Sequence, residues 1–153
     1  MVPAVGEQAP NFKLPRDGGG SVSLADFKGR KLVLYFYPKA DTPGCTKEAI
    51  DFNALRRAFA KAETDIVGVS ADPVRAQEKF RDKHDLAIPL ASDEEKEMLT
   101  AYGVWGEKSM YGKKYMGTNR KTFLIDESGK IVHIFDKVNV SAHAEEVLAA
   151  FGE

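Results

Sequence analysis

The apolar positions of this chain fall into short blocks separated by polar, glycine- and proline-containing stretches. Lys31–Tyr37 (KLVLYFY) is a compact β-branched and aromatic run, which predicts a buried central strand, and Pro38 ends it. From Pro43 to about Ala62 the period changes. Phe52, Leu55, Phe59 and Ala62 recur at spacings of three, four and three, the stripe of an amphipathic helix. Asp65–Ser70 (DIVGVS) predicts a second strand, and Asp72-Pro73 a cap and first turn for a helix to about His84. Ile88–Ala91 predicts a short strand. Ser92 with Glu95 three residues on forms a capping box for a helix to about Tyr102. Residues 103–119, rich in Gly, Lys and aromatics, read as a long loop. Thr122–Ile125 and Ile131–Phe135 read as strands joined by a turn at Asp126–Gly129, with Ser141 capping a last helix to about Phe151. Near the start, Phe12–Leu14 and Ser21–Ser23 flank Asp17-Gly18-Gly19-Gly20. No helix follows those glycines, so they read as an N-terminal hairpin turn and not as a phosphate loop.

No repeat, low-complexity tract or linker divides the 153 residues, so one domain over 1–153 is expected. Strands alternating with helices, then a hairpin and a closing helix, predict an α/β fold: a central mixed β-sheet flanked by helices. Sites in such sheets gather at the C-terminal ends of strands.

Composition changes the picture in two ways. A formal net charge of −1 argues against a nucleic-acid or anionic-membrane surface covering the whole domain. Trp105, Tyr111 and Tyr115 do stand among Lys108, Lys113 and Lys114, but this single patch reads better as loop packing or a lip beside a site. There is one cysteine. It excludes an internal disulfide, a CxxC pair and any multi-cysteine metal site, and it fits a reducing compartment. The N-terminal residues show no signal-peptide pattern and no apolar run approaches the ~20 residues of a membrane span, so a cytoplasmic domain is expected.

That cysteine sits where a thiolate is stabilised. Thr42-Pro43 reads as N-cap and first helical residue, which puts Gly44 second and Cys45 third, in the first turn. Unpaired N–H groups and the positive end of the helix dipole lie there. Cys45, Phe52 and Phe59 are spaced by seven, so Cys45 shares the buried face. Glu48, three residues on, falls near the centre of the same stripe, where a carboxylate needs a partner; an arginine from elsewhere is the natural one. Ile50 points to roughly the opposite side. A helix terminus contributes only ~0.3–2 kcal/mol, so a second positive group is required for full ionisation.

Spacing tests the rival cysteine chemistries. A thioredoxin-type pair needs cysteine where Glu48 stands, and a C-x5-R phosphatase loop needs arginine where Asp51 stands. A cysteine protease needs a histidine base. His84, His133 and His143 read as surface or packed histidines, without metal-ligand spacing. A cysteine activated by dipole and arginine alone suits a substrate with an easily broken bond, such as a hydroperoxide.

PKADTPGCT resembles the P-x-x-x-T-x-x-C signature of peroxiredoxins, and the chain is similar to the bacterioferritin comigratory protein, or peroxiredoxin Q, subfamily. The resemblance also runs through APNFKLP, YGVWGEKSMYGKKYMG and NRKTFLIDESGKI. It implies a thioredoxin-like fold and a thiol peroxidase acting on hydrogen peroxide and organic hydroperoxides, with no metal, haem or flavin. By position it implies Cys45 as the peroxidatic cysteine and Thr42 as the hydroxyl that bonds sulfur and peroxide. Pro38 becomes the shield of the thiolate, Arg120 the group that holds the thiolate and polarises the peroxide, and Glu48 the carboxylate that orients Arg120. Thr42, Gly44, Cys45 and Arg120 would line the substrate position. Many members carry a resolving cysteine five residues after the first, here Ile50, or in the helix here spanning about Pro73 to His84, which has none. The resemblance therefore implies a one-cysteine cycle completed by an external thiol: thioredoxin, or glutathione with glutaredoxin. The working state is expected to be a monomer or weak dimer. The reading from another class is a redox sensor or holdase switched by Cys45 oxidation.

Overall fold

The computed structural model describes residues 3–136 and 138–151. Strands β1 (Lys13–Pro15) and β2 (Ser21–Ser23) form the expected antiparallel hairpin. Gly18, Gly19 and Gly20 all take positive φ in its turn, which only glycine adopts freely.

The central sheet is built from β3 (Lys31–Phe36), β4 (Thr64–Ser70), β5 (Leu90–Ser92), β8 (Lys121–Ile125) and β9 (Ile131–Phe135), in spatial order β5-β4-β3-β8-β9. The β3, β4 and β5 strands run parallel, while β8 and β9 are antiparallel to their neighbours. The central β3 is covered on both faces, which is why its sequence is an uninterrupted apolar run. Leu32, Leu34 and Phe36 pack on one face with Met98, Leu99, Tyr102 and Phe123. Val33, Tyr35 and Tyr37 pack on the other with Cys45, Phe52, Phe59, Phe80, Leu124 and Val147. That second face carries helices α1 (Pro43–Ala54), α2 (Arg56–Lys61), α3 (Val74–His84) and α5 (His143–Phe151), and the first carries α4 (Glu97–Ala101).

Local chemistry moves several expected boundaries. The helix expected over Pro43–Ala62 is two helices, broken at Leu55 (φ −95°, ψ 4°). The Arg56 guanidinium donates to the Asn53 carbonyl at 2.8 Å, and the Asn53 amide turns outward, its Oδ1 accepting from Ala87 N–H at 2.7 Å. Phe52 and Phe59 stay in ring contact across the break, 6.1 Å apart. Asp72 does not cap α3; Pro73 holds the cap position, and Asp72 is committed elsewhere. Ser92 does not open a capping box. Asp93 accepts from the Leu99 N–H at 2.8 Å instead, and the helix starts only after Lys96, which takes φ 60°. Ser141 does not cap α5 with its side chain, because its hydroxyl and N–H both donate to Asn139 Oδ1.

The expected loop over 103–119 is a second hairpin, β6 (Trp105–Met110) paired antiparallel with β7 (Lys113–Thr118). Tyr111 and Gly112, with φ 52° and 77°, make its two-residue turn. The ribbon stands outside the central sheet and exposes most of its β7 side chains, so it lacks the buried alternation that announces a strand.

Candidate active site

Chain direction assembles the site. Because β8 runs antiparallel to β3, its first residue Lys121 pairs with Phe36 at the C-terminal end of β3. Arg120 thus enters the sheet beside the loop that leads from β3 into α1, although 75 residues separate it from Cys45. The Arg120 Nη2 donates to Cys45 Sγ at 3.3 Å, and its Nη1 donates to Glu48 Oε1 at 2.6 Å. One guanidinium therefore spans the sulfur and the carboxylate, which lie on adjacent turns of α1.

The three groups differ in solvent access. Cys45 and Glu48 are each 1% exposed, while the Arg120 side chain keeps 20%. Burial pushes the Glu48 carboxyl up to about 7, with Arg120 pulling the other way. Burial also opposes the charge on Arg120, but Glu48 and Cys45 outweigh it and hold its pKa above the ordinary value.

Thr42 has extended backbone (φ −95°, ψ 157°) at the N-cap, Pro43 is the first helical residue, and Cys45 is third, as expected. The first intrahelical bond runs from Thr46 N–H to the Thr42 carbonyl at 2.8 Å. The N–H groups of Gly44 and Cys45 precede it, so no carbonyl of the helix can accept from them. The Thr42 hydroxyl does not cap the helix: it donates to the Lys39 carbonyl at 2.7 Å, turning the chain before the helix. With its proton so committed, Oγ1 faces any further ligand as an acceptor. Gly44 matters for space, since a Cβ there would sit 3.3 Å from Arg120 Nη2. Pro38 stands half-buried where the chain leaves the sheet after Tyr37. Ile50 is 41% exposed, on the side away from the core.

The residues around the site also include several that sequence reasoning did not single out. The Tyr37 hydroxyl donates to Gln77 Oε1, and Gln77 Nε2 donates to Ser70 Oγ (2.8 Å) and the Ala91 carbonyl (2.9 Å). Ser70 Oγ donates to Asp72 at 2.7 Å, and Asp72 in turn accepts from the Ala40 N–H at 2.8 Å. This network, buried at Gln77 and part-buried at Asp72, ties α3 to the loop that delivers Thr42. Beneath the site Tyr35 stacks on Phe52, 4.7 Å between centroids, and the bare backbone of Gly68 opposite leaves room for its ring. His143, read as a surface or packed histidine, is buried; it bonds Thr122 and stands beside Glu48. One signal pointed there: the period of two in β8 places Thr122 and Leu124 on one face, and carried back two residues it reaches Arg120.

The chain belongs to the AhpC/TSA family, whose model matches residues 5–134. Within that family its relatives are peroxiredoxins. It is 47% identical over 144 residues to a putative Bcp peroxiredoxin of Coxiella burnetii, covering 94% of this chain and 95% of the relative. It is 44% identical over 148 residues to peroxiredoxin Bcp of Bacillus subtilis, covering 97% and 94%. The bacterioferritin comigratory protein of Xanthomonas campestris, described for its alkyl peroxide reduction activity, superposes with a TM-score of 0.87 at 44% identity over 92% of this chain and 89% of that one. The peroxiredoxin Q of Xylella fastidiosa, solved as a serine variant of a cysteine, gives 0.93 at 36% identity over 98% and 96%. The fold is thus thioredoxin-like, and the enzyme class is thiol peroxidase. The Xanthomonas campestris protein has been solved as serine variants of two different cysteines, where this chain has one.

Proposed function

We propose that the protein reduces hydrogen peroxide and organic hydroperoxides by a one-cysteine cycle centred on Cys45. The observation that carries this reading is the guanidinium of Arg120, 3.3 Å from Cys45 Sγ and anchored on Glu48 at 2.6 Å. The hydroperoxide lies between Thr42, Gly44, Cys45 and Arg120, with its O–H donating to Thr42 Oγ1. The Cys45 thiolate attacks the oxygen that bears that hydrogen. The S–O bond forms as the O–O bond breaks, leaving a sulfenic acid on Cys45 and an alkoxide or hydroxide that takes a proton from solvent. Charge moves onto the leaving oxygen in the transition state, so Arg120 and the first-turn N–H groups act most strongly there. Pro38 screens the sulfur from bulk water, and Glu48 keeps Arg120 in register.

A second cysteine is missing from these 153 residues, so an external thiol attacks the sulfenic sulfur, releasing water and forming a mixed disulfide. A second external thiol then frees Cys45. Thioredoxin, or glutathione with glutaredoxin, supplies those thiols in a reducing, cytoplasmic setting. Cys45 is 1% exposed, so its turn must open for this step. Among the described residues no helix is long and apolar enough to cross a membrane.

Peroxide consumption with each reductant system tests the cycle. Many peroxides consumed per chain with at least one system supports it. One peroxide per chain whatever the donor would instead mark Cys45 as a sensor thiol.

A further inference from the structure

Glu48 is only half partnered. Its Oε1 takes the Arg120 bond, but Oε2 is buried and has no hydrogen-bond partner among the described residues. The side chain of His143, the first residue of α5 and itself 1% exposed, stands next to that oxygen, its Nε2 4.0 Å away. The same Nε2 is 2.7 Å from Thr122 Oγ1. The imidazole is gripped edge-on by Phe52 (5.6 Å, 89°) and Phe135 (5.2 Å, 86°), and its Nδ1 has no partner among the described residues.

This geometry selects a tautomer. Burial, with Arg120 adding to it, pushes the imidazole down to about 4, so it is neutral at physiological pH and carries one N–H. On Nδ1 that hydrogen would be stranded, while the Nε2 lone pair faced a carboxylate. On Nε2 it donates to Thr122 and turns its positive end toward Glu48 Oε2. Each arrangement leaves one buried donor without a partner among the described residues, Nδ1–H in the first and the Thr122 hydroxyl in the second, and only the second opposes the cost of burying the Glu48 carboxylate beside it.

We propose that His143 is a positioning residue for the peroxidase reaction, acting through Glu48 to hold Arg120 on the Cys45 sulfur. Without the Nε2–H dipole, Glu48 either takes up a proton or swings Oε2 onto the same guanidinium. Both moves weaken the placement of Arg120 Nη2 against Cys45. The residue touches neither sulfur nor peroxide in this account, and the inference rests on the peroxidase reading above.

The test is a double-substitution cycle on the single-turnover rate with hydrogen peroxide, with melting temperatures measured alongside. His143→Leu should slow Cys45 oxidation about ten-fold, the scale of one lost polar contact to a charged group. His143→Gln, which restores an N–H, should recover most of that rate. In a Glu48→Gln background, His143→Leu should add less than about two-fold, because its target is gone. Additive losses in the two backgrounds, or equal rates for His143→Leu and His143→Gln, would overturn the assignment. If the leucine variant does not fold, His143→Met takes its place under the same criteria. A wild type that fails to consume peroxide at all would count against the peroxidase reading; an active wild type without coupling counts against His143 alone.

Discussion

At the scale of single residues, the site depends on a carboxylate that the solvent cannot reach. Helical phase made this legible: the spacing from Phe52 and Phe59 back to Cys45 puts Glu48 on the buried face, and a buried charge demands a partner. The identity of that partner was not in the phase. Arg120 sits in the approach to a strand, and only the antiparallel pairing of β8 with β3 brings it to α1. The direction of the Thr42 hydroxyl was equally hidden, since it depends on where the Lys39 carbonyl lands. Glu48 also gives a pH signature. Its folded pKa, raised to about 7 chiefly by burial, lies above the 4.5 of an ordinary glutamate. Its contribution is therefore fully present below pH ~4.5 and is lost as pH rises through 7. Comparing unfolding free energies of wild type and Glu48→Gln should show the difference moving against the wild type by a few kcal/mol across that window, at ~1.4 kcal/mol per pKa unit. His143 runs the other way, its depressed pKa giving stability that is lost as pH falls through about 4. It is present in both proteins, and its shift comes from burial and Arg120, so it largely cancels in the comparison. A difference that stays flat from pH 4.5 to 7 would refute the raised carboxyl.

At the scale of elements, the loop that leads from β3 to Thr42 is held from the side by α3. Asp72 reads in sequence as a helix cap, yet it spends its carboxylate on the Ala40 N–H and the Ser70 hydroxyl. Local propensity lost here to a long-range bond that no local pattern encodes. The same loop is latched a second time, where Asp41 meets Lys83 at 2.9 Å and His84 at 3.1 Å at the end of α3. Asp41 is exposed and that latch is worth little; the Asp72 bonds are part-buried and count for more. Asp72→Ala leaves the Ala40 N–H and the Ser70 hydroxyl short of a partner, a loss of about 1–3 kcal/mol. Hydrogen exchange should show faster exchange at Ala40 and the loop over 39–42, with α5 amides unchanged relative to global stability. Unchanged exchange at Ala40 would mean the loop is held by other contacts.

Across the whole molecule, the parallel half of the sheet and the terminal β-hairpin were legible because their strands are apolar or alternate cleanly. The β6–β7 ribbon was not, because it buries too little for its pattern to show. The consequence for function is a division of labour. The sheet brings α1, the start of β8 and the start of α5 to one end of β3, so that Cys45, Glu48, Arg120 and His143 meet there. The chain holds one cysteine and no second thiol, which is why the cycle proposed above closes on another molecule.

The most direct measurement is peroxide consumption before any donor is added, comparing wild type with Cys45→Ser and mapping oxidised residues by mass spectrometry. The wild type should consume about one peroxide per chain and carry a trappable sulfenic acid at Cys45, while Cys45→Ser consumes none above buffer. Consumption retained in Cys45→Ser would contradict the account.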